Sequence, residues 1–322
     1  MHSHVVRFNA AIVFLMFLLL IASACSSNEA DSYNSQPSNA VASSTPSCEA
    51  EETPGAEATP AVSSTDSKSA ILTEVDWESY FDGINGAAVL YRPSNNSYQI
   101  YNSELALTRR SPCSTFKIVS SLIALENHII TPGDSLRTWS GEIFWNEQWN
   151  KNIDFAEAFR TSCVWYFREL IDEIGKNVMQ DELDKLHYGN CDISDWEGHL
   201  NTNNKNPALT GFWIESSLKI SPKEQVEVMA TIFGDHSAYS EETLSSLKQV
   251  MLIPEQQTTD AVVYGKTGMG KSLGVVVDAW FTGLADVADE RIYFCVYLGE
   301  TAGKDVSSTK AKEIALELIS SQ

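Results

Sequence analysis

The sequence predicts a mixed α/β protein of the α+β type: an antiparallel β-sheet flanked by helices, with a helical lobe inserted between its strands. Strand patterns occur early, between residues 86 and 101, and return only after residue 260. Their connections are short, which favours antiparallel pairing. Between residues 127 and 252 helical periodicities prevail, with long polar loops. The economical arrangement is one sheet built from both ends of the chain and covered by helices. The central block then forms a second lobe, and a cleft between the two is the natural place for a site. With 322 residues and 43% hydrophobic content, the chain is long enough to bury a sizeable core.

At the N-terminus Arg7 precedes an apolar run, residues 10–22, AAIVFLMFLLLIA. That length suits the apolar region of an export signal and is short for a membrane span. Small residues Ala22-Ser23-Ala24 then lead to Cys25. The pattern resembles a bacterial lipobox, with Ala22 where Leu is usual. Residues 1–24 are therefore expected to be a lipoprotein-type signal peptide, with Cys25 lipidated. Cleavage with secretion, or an uncleaved anchor helix, are the alternatives. Each places the remainder outside the cytoplasm, held at the outer face of the bacterial plasma membrane by a lipid anchor only, or secreted. Residues 25–69 are rich in Ser, Ala, Thr, Pro and Glu. Such a segment cannot bury enough surface to offset its ordering entropy, so it reads as a disordered tether. Cys48 within it has no evident partner. The folded domain is assigned to residues 70–322.

That domain opens near Ile71. Residues 86–91 form a short apolar run, Pro93-Ser94-Asn95-Asn96 is turn-like, and residues 98–101 alternate, which is a hairpin signal. A helix follows, with Pro112 at its start. Ser221-Pro222-Lys223-Glu224 reads as an N-cap, a Pro at the first helical position and a first-turn acid, opening an apolar-periodic segment over 226–233. Strand patterns return at residues 261–264, 274–281 and 292–298. An amphipathic helix over 308–320 closes the chain.

The net charge of −21 and pI near 4.6 disfavour nucleic acid as a partner, since a phosphate backbone wants a basic stripe. The six cysteines include no C-x-x-C pair. Cys113, Cys163 and Cys295, among apolar neighbours, read as buried small hydrophobes. The histidines are scattered without an H-E-x-x-H pattern, so no metal is expected.

The chemistry centres on Ser111-Pro112-Cys113-Ser114-Thr115-Phe116-Lys117. In a helix Ser114 and Lys117 share one face. Ser114 would sit in the first turn, where unpaired N–H groups and the helix dipole favour a developing oxyanion. The Lys117 amine is the nearest candidate base. Alone, an S-x-x-K is also what an ordinary amphipathic helix shows. Four further patterns follow in order: Ser162-Cys163-Val164, Tyr188-Gly189-Asn190, Phe212-Trp213-Ile214 ahead of 217–222, and Lys266-Thr267-Gly268 before Met269.

Together they resemble a class D serine β-lactamase, the oxacillinase type, and equally the sensor domains of transmembrane β-lactam receptors, over residues 74–319. S-x-x-K and K-T-G occur in related enzymes with an S-D-N element. Here Ser162-Cys163-Val164 replaces it and Y-G-N is added. The resemblance implies a serine β-lactamase/penicillin-binding transpeptidase-like fold and hydrolysis of β-lactam antibiotics through a Ser114 acyl-enzyme. It implies Lys117 as an N6-carboxylysine general base, formed with carbon dioxide or bicarbonate and no other cofactor. Burial among Phe116, Val164 and Trp213 would depress the lysine pKa. The Trp213 indole, which can only donate, would hold the carbamate. Backbone N–H groups of Ser114 and Met269 would form the oxyanion hole. Ser162 and Lys266 would relay a proton to the lactam nitrogen, and Lys266 with Thr267 would hold the substrate carboxylate. Gly268, Tyr188 and Asn190 are expected at the substrate cleft, the last two mostly shaping its wall. Many relatives add an Arg near the end of the chain for the carboxylate. Here Arg291 opens a strand, and Lys304 is the available substitute.

Two other functions are compatible with the scaffold: a receptor domain that stays acylated, and a cell-wall D,D-peptidase. The tether directly after the signal, and the apolar Val164 where receptor domains typically carry a polar residue, favour the enzyme.

Overall fold

The computed structural model describes residues 69–200, 205–254, 261–288 and 290–322, all within a unit running from Ser64 to Gln322. The expected signal peptide, Cys25, Cys48 and almost all of the tether lie outside the described residues. Among the described residues one six-stranded sheet holds strands from both ends of the chain, as the sequence predicts. The strands are β1 (Ile71–Glu74), β2 (Gly86–Arg92), β3 (Ser97–Tyr101), β4 (Ala261–Ser272), β5 (Val275–Val287) and β6 (Glu290–Gly299), in the order β1-β3-β2-β6-β5-β4.

The hairpin of β2 and β3 forms as expected, pairing Val89 with Ile100. Two features differ from the sequence reading. The sheet is mixed, because β1 runs parallel to β3, with Leu72 opposite Tyr98. Also, β4 and β5 are longer than their apolar runs. β4 continues through Lys266-Thr267-Gly268 to Ser272 and turns at Leu273 and Gly274, both at positive φ. A pair of positive-φ residues suits a tight hairpin turn. Polar and glycine-rich residues hide that extension from a reading of alternation.

Helix α1 (Glu78–Phe81) and helix α9 (Ser308–Ser320) cover one face, where Phe81, Phe281, Phe294, Ile314 and Leu318 pack together. The other face carries α2 (Ser103–Ala106) and the predominantly helical block, made of α3 (Lys117–Glu126), α4 (Phe155–Thr161), α5 (Val164–Ile174), α6 (Lys176–Leu186), α7 (Pro222–Phe233) and α8 (Glu241–Met251). Helix α3 is buried from Lys117 to Leu125, so it is the axis of this block. Its two serines satisfy themselves against backbone carbonyls; Ser121 Oγ donates to Lys117 O at 2.5 Å. Helix α7 starts as its sequence foretells. Ser221 Oγ accepts from the Glu224 N–H, while the Glu224 carboxylate accepts from the Ser221 N–H at 2.8 Å.

Candidate active site

Residues Cys113–Phe116 form one 3-10 turn leading into α3, with Pro112 ahead of it. The Cys113 N–H donates to Trp213 O at 3.0 Å, and Ser111 Oγ donates to the same carbonyl at 3.2 Å. The Trp280 indole of β5 donates to Ser111 O at 3.0 Å. The turn is thus tied to the Trp213 loop on one side and to the sheet on the other. β4 passes close beside it. A methyl group on Gly268 would meet Pro112 O at 2.9 Å and the Thr115 methyl at 3.0 Å. Glycine at this position lets K-T-G lie against the nucleophile turn.

Ser114 Oγ is 3.1 Å from Lys117 Nζ. The Lys117 side chain is 1% exposed, and its amine lies 5.1 Å from the centre of the Phe167 ring on α5. Burial disfavours its ammonium form and brings its pKa down to about 8. The neighbouring Cys163 thiol, itself pushed up to about 12 by burial, is no anion at neutral pH.

Ser162 ends α4 in the left-handed conformation, φ 56°. Glycine is the usual residue there. A serine accepts the strain and places a hydroxyl at 2.5 Å from Lys266 Nζ. Lys266 also donates to Thr267 O at 3.0 Å. It is 4% exposed, and burial together with repulsion from Lys117 holds its pKa well below the lysine range.

Trp213 is fully buried and stacks on Phe116, the residue before Lys117, at 6.1 Å. The space for its ring exists because position 211 is glycine; a methyl group there would fall 2.0 Å from the indole. Its indole N–H is buried and meets no hydrogen-bond acceptor in the structure. An orphaned donor of this kind is rare in a native core and suits an anion acceptor.

Ser114, Val164 and Met269 line one cleft of about 630 Å³. Its walls include Ile143, Trp145 and Leu209, which the sequence analysis did not single out. The only sequence signal for the first two was an apolar Ile-Phe-Trp triplet inside a polar loop. Lys266 and Thr267 line a separate recess with Arg160 and Lys312. Tyr188 and Asn190 are not brought to the cleft. Tyr188 is 1% exposed and packs edge-on to Phe116. The Asn190 side chain binds Ser217 O and the Lys219 N–H, both at 2.9 Å, fastening one loop to another. Lys304 is held by Asp82 beside α1, and Arg291 by Asp286 at 2.7 Å, so neither serves the cleft. Cys113, Cys163 and Cys295 are buried free thiols, as expected. Among the described residues no cluster of metal-ligating side chains occurs.

The family model of the penicillin-binding protein transpeptidase domain matches residues 86–320. The chain is similar to the regulatory protein BlaR1 of Bacillus licheniformis, 32% identical over 76% of this chain but 38% of BlaR1; it spans about two fifths of that relative's length. It is also similar to β-lactamase OXA-1 of Escherichia coli, 30% identical over 74% of this chain and 85% of the enzyme. A solved class D β-lactamase from Bacillus subtilis superposes with a TM-score of 0.66 at 27% identity, covering 77% of this chain and 95% of that one.

The lowered lysines are directly measurable. In carbon-dioxide-free buffer, NMR of lysines labelled at Cε is expected to show three resonances, from Lys117, Lys266 and the half-buried Lys248, displaced below the ordinary titration at about 10.4. One should titrate at about 8 and vanish in Lys117→Ala; a second should vanish in Lys266→Ala. A spectrum with every lysine in the ordinary range would overturn this electrostatic picture.

Proposed function

The chain belongs to the penicillin-binding protein transpeptidase-domain family, with class D β-lactamases and BlaR1 among its relatives, and from that premise we propose that it hydrolyses β-lactams through a Ser114 acyl-enzyme, with carbamylated Lys117 as general base. The observation that carries this reading is a buried, easily neutralised amine 3.1 Å from a serine hydroxyl, together with a buried indole N–H that lacks an acceptor on Trp213, whose ring stacks on Phe116 next to Lys117 in the chain.

In the proposed reaction Ser114 Oγ bonds to the lactam carbonyl carbon as its proton passes to the Lys117 side chain. Backbone N–H groups of Ser114 and Met269 receive the developing oxyanion. The C–N bond breaks, and the lactam nitrogen takes a proton from Ser162; Lys266 reprotonates Ser162 and receives in turn the proton that Lys117 took from Ser114, so that Lys117 is a base again. Lys266 and Thr267 hold the substrate carboxylate. Water, deprotonated from the Lys117 side, then attacks the ester carbonyl, and Ser114 leaves with its proton restored. Carbon dioxide added to the neutral amine would supply an anionic carbamate, a stronger proton acceptor than the amine. Trp213 suits such a group as donor, while Val164 and Phe167 keep its surroundings apolar. Resistance to β-lactams in the host follows from turnover.

The second reading is a receptor that is acylated and keeps its acyl group. The similarity to BlaR1 favours it. Val164, which lines the cleft with Ser114, favours the enzyme, because its methyl groups offer no proton to an anion on Lys117. Export as a lipoprotein, with lipid on Cys25, is part of the proposal and rests on the apolar run and Ala22-Ser23-Ala24-Cys25. Metabolic labelling with a fatty acid should mark the wild type and not Cys25→Ala; equal labelling would remove the lipid anchor.

Activity should depend on carbon dioxide. The amine reacts only when neutral, so competence is lost as pH falls through about 8. Degassed, mildly acidic buffer is expected to lower penicillin turnover by about tenfold or more, and bicarbonate to restore it. An unchanged rate would leave a plain amine as the base.

Val164→Asn should retain acylation and stall hydrolysis. Mass spectrometry seconds and hours after mixing with a penicillin should find little lasting adduct on the wild type and a persistent one on the variant. A stoichiometric adduct on the wild type for hours would establish the receptor reading instead.

A further inference from the structure

Helix α5 carries an arginine deep in the helical block whose surroundings point toward the base pocket. Arg168 is 6% exposed. Its Nε donates to Asp172 Oδ2 at 3.0 Å, its Nη2 to Asp172 Oδ1, and its Nη1 to Trp196 O at 2.8 Å. So held, its guanidinium carbon lies 5.5 Å from the centre of the Trp196 ring and 5.6 Å from that of Trp213. Asp172 also accepts from the Trp196 indole at 3.1 Å. Two residues of the same helix, Val164 and Phe167, already border Ser114 and Lys117. Arg168 is next along that face.

The charge balance matters. Asp172 is half-exposed, with 50% of its side chain open to water, whereas the Arg168 side chain is only 7% exposed. Solvent screens the carboxylate more than the guanidinium, so the protein interior feels a net positive potential. An arginine cannot shed this charge. A cation against an indole ring is drawn to its electron density. An anion that accepts from the same indole's N–H pushes density into the ring, and each interaction strengthens the other.

We propose that Arg168 is the positioning residue of the base pocket: it fixes the Trp213 ring and, through that ring, favours an anionic carbamate on Lys117. This rests on the carbamate reading above. Arg168 touches neither substrate nor reacting atoms; it acts through Trp213.

The test is carbamate occupancy, read by NMR of the purified full chain titrated with carbon-13 bicarbonate, beside the melting temperature of each variant. Wild type should give a carbamate carbon signal that is lost in Lys117→Ala. Arg168→Gln should require about tenfold more bicarbonate for half-occupancy. Arg168→Lys, with charge but no planar fork, should fall between. If wild type gives the signal and folded Arg168→Gln titrates identically, the proposal is overturned while the carbamate reading stands. If wild type gives no signal at any bicarbonate concentration, both fall. Should Arg168→Gln fail to fold, Arg168→Lys decides the matter: without the planar fork it should need about threefold more bicarbonate for half-occupancy, and a folded Arg168→Lys that titrates as the wild type does would overturn the proposal.

Discussion

Removing the Lys117 amine from water is the constraint to which most of the helical block answers. An ammonium buried without a partner carries a penalty of several kcal/mol, roughly. Such a group either finds an anion or gives up its proton. No carboxylate shifts Lys117; beside it are the Phe167 ring and the Cys163 and Cys113 thiols, held neutral by burial. The pocket therefore lowers the cost in the remaining way, by letting the amine go neutral, and a neutral amine 3.1 Å from a hydroxyl is a base. Helix α3 can hold it there because it is buried from Lys117 to Leu125.

The sheet sets the other half of the geometry. β4 is the edge strand of the sheet, and among the described residues its outer side is met by an isolated bridge between Tyr264 and Leu252, ahead of the Lys266-Thr267-Gly268 stretch. Gly268 then brings the backbone of the edge within contact of Pro112 and Thr115. This adjacency links residues far apart in sequence, and it requires strands from both ends of the chain in one sheet. Within the turn, the Thr115 N–H and hydroxyl donate to Pro112 O. From elsewhere it is fixed by two donors, the Trp280 indole of β5 and the Gln225 amide of α7 at 2.8 Å from Thr115 Oγ1, and by Trp213 O, which accepts from the Cys113 N–H.

Sequence legibility followed the type of signal. Ser114, Lys117, Ser162 and Lys266 were readable because fixed chemistry recurs in short patterns, and the structure brings them together. The capping box at Ser221 was readable because its signal is local. The parallel pairing of β1 was not, since a four-residue strand carries no trace of its neighbour's direction. The length of β4 was hidden because its far half is polar and glycine-rich. Tyr188 and Asn190 belong to a recognisable motif, yet a motif does not say which way a side chain faces, and these hold loops together. Ile143 and Trp145 lie in an irregular loop, where periodicity says nothing. In the sequence Arg168 is one charge among several on an amphipathic helix; its burial against two indoles sets it apart.

The two buried lysines bear on the choice between reading the cleft as an acylation site and as a site of turnover. Each disfavours the charged form of the other, and Lys266 is held well below its ordinary range partly by Lys117. In the proposed reaction Lys266 is needed as a cation, to hold a carboxylate and back the proton of Ser162. A substrate carboxylate reverses the balance, because an anion beside Lys266 favours its protonated form. An anion on Lys117 acts in the same direction by replacing a repulsive neighbour with an attractive one. The proton relay is then fully charged only when substrate and a carbamate are both in place. Loss of the carbamate after acylation would remove both the base for the hydrolytic water and part of the support for the relay. Turnover on this scaffold thus depends less on the nucleophile, which receptor and enzyme share, than on how long the side chains around Lys117 keep an anion there.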